Sequence, residues 1–185
     1  GGMLAVNDSK LVERAEIIWE KGTNRSAFFR GEVNKYGWVD IGSSFLPSEL
    51  NAAFLYAQLE NLEDIQYRRK EIWETYNDNL KDWAKLNRVK LPSIPEYATN
   101  NAHMFYMVFS TPDQRSKFIK RLKDEGILVV FHYLSLHKSE FYKSKHDGRN
   151  LALSDHFSDC LVRLPLFYEI KKEELDFIIK HLDRN

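Results

Sequence analysis

The 185-residue chain has one cysteine, five prolines, three methionines and no net charge, with 27 basic residues set against 27 acidic ones. A lone Cys160 excludes an intramolecular disulfide. The charges are interspersed instead of clustered, which leaves no electrostatic case for a nucleic-acid partner. No signal peptide and no apolar run of membrane-spanning length is recognised, so the expectation is a bacterial-type cytoplasmic protein with no membrane partner. What the sequence does have is length enough for one sizeable core, at about 100 to 200 residues per domain, and a high aromatic content. Aromatic residues at helical or strand spacing are ordinarily core, so their number alone does not indicate a ligand.

Met3 to Val6 reads as a short apolar strand, with Asp8 or Ser9 capping a helix that carries Leu11, Ala15 and Ile18 and closes at Gly22. Thr23 to Ser44 has no period but holds three glycines and adjacent phenylalanines, the pattern of a functional loop. Pro47 suits a first helical turn, and Leu50, Ala53, Phe54 and Ala57 follow one face. Ile65, Ile72, Trp73, Tyr76 and Leu80 form a second stripe with no Gly or Pro between, predicting one helix roughly 50 Å long that bridges two bodies.

Leu91-Pro92 and Ile94-Pro95 mark an extended connection, and His103 to Phe109 reads as a buried strand. Thr111-Pro112-Asp113 opens a helix through Phe118, Ile119 and Leu122 to Gly126, and Ile127 to Phe131 follows as a β-branched strand. Further helices are expected from near Ser154 to Val162 and from Lys171 to Leu182. The class expected is α/β, with a small α/β layer.

Three places could carry chemistry. His132-Tyr133-Leu134-Ser135-Leu136-His137 leaves the end of an apolar strand, where sites collect; ordinary strand-end hydrogen bonding is an equal reading. Zinc is a weak alternative, because the histidine spacing is not a helical pair and no nearby cysteine or acid completes a set. Lys21 to Ser26 offers two cations, an amide and hydroxyls beside a helix end, with Arg25 the sharper phosphate ligand, Arg30 next, and a solvated basic loop as the bland reading. Phe28 and Phe29 suit either stacking on a base or sugar, or packing. Gly42-Ser43-Ser44 precedes a helix whose N-terminus favours a phosphate, although serine in turns is common for its own sake.

The runs GGMLAVND, RAEIIWEKGTNRSAFFRGEVNKY, IGSSFLPSELNAAFLYAQLENLEDIQYRR, LPSIPEYATNNAHMFYMVF, VVFHYLSLH and LVRLPLFY resemble, in order, the DegT/DnrJ/EryC1/StrS sugar aminotransferases. The resemblance covers nearly the whole chain. It implies the small C-terminal domain of a fold-type I aminotransferase dependent on pyridoxal phosphate (PLP), with the tail of the large domain. Residues 1–45 would be that tail and its active-site loop, 46–85 the interdomain helix and 86–185 the small domain. The implied reaction moves an amino group from an amino acid, glutamate, to C4 of TDP-4-keto-6-deoxyglucose for cell-surface polysaccharide, in a homodimer.

In the family the lysine that holds PLP lies a few residues upstream of a Gly-Glu-Gly-Gly turn, and this chain opens Gly1-Gly2-Met3-Leu4. The Schiff-base lysine is therefore expected upstream, leaving this chain inactive alone and without covalent PLP. The resemblance implies that His132, Tyr133 and His137 touch the sugar nucleotide or the cofactor region, and Asn24 and Arg25, read from the chemistry of their loop, would shape the sugar-nucleotide side with them. Ser43 and Ser44 would face a partner's PLP phosphate, since Leu46 stands roughly where an Asn is common. A non-catalytic dimerisation or sugar-nucleotide-binding module is the competing expectation.

Overall fold

The computed structural model of the chain describes residues 2–182, which divide into two compact units, one ending at Asn61 and one beginning at Leu62. In the first unit the expected strand at Met3 to Val6 does not form. Its backbone finds no partner strand among the described residues, and Met3 is 95% exposed. Asp8 does act as a cap, its carboxylate accepting the Lys10 N–H at 2.9 Å, and a short 3-10 turn (Ser9–Leu11) leads into α1 (Val12–Trp19).

The end of α1 is tied down by the segment that returns from residues 38 to 44. Gly22 donates to the Ile17 carbonyl at 2.7 Å, its own carbonyl accepts the Val39 and Asp40 N–H groups, and Ser43 donates to the Ile18 carbonyl at 2.9 Å. Within the stretch expected to be irregular, Arg25–Phe29 forms a short helix, α2. Pro47 lies just before the next helix instead of inside its first turn. Ser48 is the cap of α3 (Glu49–Glu60), its hydroxyl accepting the Asn51 N–H at 3.3 Å.

The single long helix expected to reach Leu80 is interrupted at Asn61. The Asn61 side chain donates to the Ala57 carbonyl at 2.9 Å and its backbone N–H to Gln58 at 3.2 Å, so the last turn tightens and the regular ladder stops. A residue that competes for its own helix's carbonyls leaves no Gly or Pro signature.

In the second unit α4 (Leu62–Leu86) buries Ile72, Trp73, Tyr76, Leu80, Trp83 and Ala84 along one stripe, the face anticipated from the apolar spacing. That stripe packs on a three-stranded sheet of β1 (Phe105–Val108), β2 (Val130–Phe131) and β3 (Leu161–Leu164), in the order β1-β3-β2. Strand β3 runs antiparallel to both neighbours, which makes β1 and β2 parallel, joined through α5 (Pro112–Asp124) as a split βαβ unit. Thr111 and Gln114 cap α5 reciprocally, each bond 3.2 Å long.

β3 is a correction. The helix expected to run to Val162 ends at Cys160 as α6 (Ala152–Cys160), and Leu161 onward enters the sheet centre. Val162 and Leu164 pair in register with Met107 and Phe105, all buried, an arrangement that only the neighbouring strands can dictate. α7 (Lys172–Leu182) closes the core with Leu175, Ile178 and Leu182. The fold of this unit is thus mixed α/β. Tyr76, fully buried, donates its hydroxyl to the Pro165 carbonyl at 2.8 Å, and burial pushes its phenol well above its ordinary range.

Candidate functional site

In the first unit the loop after α1 uses most of its predicted ligands to hold itself together. Asn24 accepts the Gly37 N–H on its Oδ1 at 2.8 Å, beside the bridge between Thr23 and Trp38. Arg25 leads α2 with its guanidinium 5.0 Å above the Phe29 ring and 3.8 Å from a Glu20 oxygen, leaving it exposed and only loosely paired. Phe28 packs edge-on against Phe29 and near Tyr36, both at 5.6 Å between ring centres. Arg30 is clamped by Glu32 at 2.7 and 3.2 Å and by Glu16 at 3.0 Å. These carboxylates hold the Arg30 charge and draw Glu32 below its usual range, so Arg30 has little left for a ligand.

Ser43 and Ser44 are fastened through their backbones, Ser44 in a bridge with Glu20, and their exposed hydroxyls make no hydrogen bond among the described residues. The start of α3 is served by Ser48, which sequence reasoning passed over although Ser48-Glu49 is a plain cap signal.

In the second unit the chain leaving β2 builds a charged cleft. His132 has a buried Nδ1 with no hydrogen-bond partner, and its ring lies 5.2 Å from that of Tyr133. The Tyr133 side chain is exposed, while its carbonyl accepts the Ser158 hydroxyl at 3.0 Å. Ser135 is buried and donates to the Ser154 carbonyl at 3.2 Å, which fixes the turn against α6. His137 Nε2 then stands 3.0 Å from Asp155 Oδ1, and Lys138 Nζ 2.8 Å from Asp155 Oδ2.

Asp155 is therefore flanked by two basic side chains. The Lys138 hydrogen bond, aided by Ser135 and the His137 charge, holds its carboxyl below the usual carboxylate range, and Lys138 is raised in return. The His137 ring is 5.2 Å from His146, whose Nε2 lies 3.0 Å from the Arg149 carbonyl. His137 and His146, with Tyr142, Lys145 and Ser154, line a cleft of about 350 Å³. Asp155, His146 and Tyr142 were missed from sequence; an ion pair between a 3-10 turn (Leu136–Lys138) and α6 has no local signal. A second cleft of about 530 Å³ is walled by Ile127, Leu128, Phe167, Ile170, Phe177 and Ile178 and is apolar apart from Glu173 and Glu174. Among the described residues no three His, Cys, Asp or Glu side chains converge to hold a metal ion, and no helix is long and apolar enough to cross a membrane.

Known proteins resemble the chain throughout. A profile of the DegT/DnrJ/EryC1/StrS aminotransferase family matches residues 1–183. The dTDP-3-amino-3,6-dideoxy-alpha-D-galactopyranose transaminase of Aneurinibacillus thermoaerophilus is 25% identical over 185 residues, all of this chain and 46% of that protein. A DegT DnrJ EryC1 StrS aminotransferase from Brucella abortus superimposes with a TM-score of 0.75 at 26% identity, over 95% of this chain and 43% of its own. Spr1654 of Streptococcus pneumoniae, solved in a PLP form, shares the fold with a TM-score of 0.74 at 19% identity, over 96% of this chain and 44% of its own. The chain spans about half the length of the relatives it matches. With residues 1–183 matched end to end by one profile, the chain belongs to the DegT/DnrJ/EryC1/StrS aminotransferase family.

Proposed function

We propose that this chain is the C-terminal portion of a PLP-dependent nucleotide-sugar aminotransferase and supplies its sugar-nucleotide side. The match of the whole chain to 46% of a dTDP-sugar transaminase is the observation that supports this reading most directly. Residues 1–45 belong in this reading to the tail of a large PLP-binding domain and residues 86–185 to the small domain. Taken by itself, the second unit offers the exposed Tyr133 phenol and, in its charged cleft, the half-buried His137 and His146 imidazoles with Lys145, groups suited to a sugar and a phosphate, and the first unit offers the exposed Arg25 guanidinium, suited to a phosphate. Asn24 orders the loop that carries Arg25.

The residues present do not fit a covalent PLP site. Every lysine in the chain is exposed, whereas a Schiff-base lysine needs a desolvated or charge-crowded amine to be nucleophilic. A hydrogen bond to Asp113 raises Lys117 and one to Asp155 raises Lys138, which keeps both protonated. Purified chain mixed with PLP, glutamate and TDP-4-keto-6-deoxyglucose is expected to form no borohydride-reducible adduct and no amino sugar. A reducible adduct accompanied by turnover overturns the reading.

Amination at C4 follows from the resemblance in the sequence. The A. thermoaerophilus relative carries a 3-amino name, which makes C3 the second reading. Two-dimensional NMR of the aminated product of the full-length protein separates them by the carbon that bears nitrogen.

The partner in this reading is a second copy. On α3, Leu50, Phe54, Leu55, Tyr56 and Leu59 are each 52% exposed or more, an apolar surface on a helix with little polar relief. Sedimentation velocity is expected to show dimers or larger species at tens of micromolar chain. A clean monomer at high concentration counts against it.

A further inference from the structure

We propose that Arg163, aided by His132, forms an oxyanion-binding site on the second face of the small sheet, for a carboxylate or a phosphate group. Arg163 sits in the middle of the central strand. Its neighbours Val162 and Leu164 turn toward the core with Met107 and Phe105, so strand alternation sends Arg163 to the opposite face. On that face it is in register with Tyr106 of β1 and Val130 of β2. Beside it lies a small apolar cluster of Val108, Cys160 and Leu161, against which Tyr106 packs.

His132 follows Val130 by two residues. The pairing of Phe131 with Val162 brings His132 level with Leu161 as the chain leaves β2, a diagonal neighbour of Arg163 at about 7–8 Å between strand positions. Such a diagonal is within reach of an arginine side chain.

What marks the pair is that neither is satisfied. Arg163 Nε is fully buried and has no hydrogen bond or ion pair among the described residues, and the buried Nδ1 of His132 is in the same condition. In the same unit Arg68 and Arg69 donate to the carbonyls of Ile170 and Ala102 and Arg121 to that of His181, while Arg115 of α5 shares the unpartnered buried Nε; Arg163 differs from Arg115 in standing on the central strand diagonal to a second unpartnered nitrogen, that of His132. A buried donor of a permanently charged group is costly to leave unpaired, and a guanidinium fork is built to grip two oxygens of one anion. The apolar neighbours strengthen that pairing by lowering the local dielectric. No carboxylate among the described residues stands within ion-pair distance to occupy the place. A carboxylate of an amino acid and a phosphate of a nucleotide share this chemistry. The site rests on this register and these two unpartnered nitrogens, and stands whether or not the amination reading holds.

The test is proton–nitrogen NMR of the arginine Nε–Hε and histidine ring signals of the whole chain, titrated separately with glutarate and with inorganic phosphate at constant ionic strength. Saturable shifts of Arg163 and of the His132 ring with either anion are expected, the affinity falling at least tenfold in R163Q when read from the His132 ring, about threefold in H132A when read from Arg163 Nε–Hε, and not at all in K117Q, on exposed α5 surface; R163K is read from the His132 ring. Saturation by glutarate alone assigns a carboxylate site, and by phosphate alone a phosphate site. R163K keeps the charge without the fork and is expected to bind several-fold more weakly while the core amides of Phe105 and Val162 stay in place, which separates lost binding from lost folding. No saturable shift with either anion, or equal affinity in R163K and the parent chain, overturns the proposal.

Discussion

Replacing Phe105 by alanine is expected to remove about 3–5 kcal/mol from the stability of the second unit. Phe105 is fully buried on β1, with the Trp73 ring 5.4 Å and the Tyr76 ring 5.3 Å from its own. Those two residues belong to α4, so one side chain fastens the long helix to the sheet. Its loss opens a cavity bounded by two large rings held by their own contacts, Tyr76 by its bond to Pro165, so the site cannot collapse to fill the space. Domains have about 5–15 kcal/mol in total, and the variant should be largely unfolded at moderate urea. Urea unfolding followed through tryptophan fluorescence checks this. Phe131→Ala, on the exposed edge strand, serves as the comparison and should shift the curve by about 1 kcal/mol or less. A Phe105→Ala midpoint equal to that of Phe131→Ala would remove Phe105 from the centre of the account.

Gly22→Ala is expected to disorder the end of α1 and the segment from Trp38 to Ser44. Gly22 has φ of +80°, where an L side chain is strained by about 1–2 kcal/mol. Space is the harsher constraint. An added Cβ would stand 1.8 Å from the Asp40 carbonyl oxygen and 2.9 Å from Trp38 Nε1. The first of these is backbone that itself returns to the Gly22 carbonyl through the Val39 and Asp40 N–H groups, so the clash can be relieved only by breaking those bonds. Hydrogen exchange is the measurement. The Val39, Asp40 and Ser43 amides should lose their protection in Gly22→Ala, while core amides of the second unit, such as Val162, keep theirs. Retained protection at all three would show that the return segment is held by something other than this close approach.

Both predictions bear on how much was legible beforehand. Asp8, Thr111 with Pro112, and the stripe from Ile72 to Leu80 were readable because a cap or an amphipathic face is decided within a few residues along the chain. Gly22 was readable as the end of a helix. Its tight approach to Asp40 was not, since that depends on a segment folding back. Among site residues, the segment from His132 to His137 was recognised as a strand end, but the partner of His137 was not. Nothing local ties Asp155 to it, because that acid arrives on another helix.

By itself the sequence determined the caps at Asp8 and Thr111, the buried face of α4 and, through motifs spread over its length, membership of an aminotransferase family. Such features are encoded by neighbours in the chain, by side-chain period and by residue identity. The tertiary structure alone decided that Leu161 to Leu164 leaves its helix to become the central strand, and that Arg163 is carried there to a face where nothing in the described chain answers its charge. The reason is that strand pairing and ion pairing join residues distant in sequence, and their energies exist only once the sheet has brought those residues together.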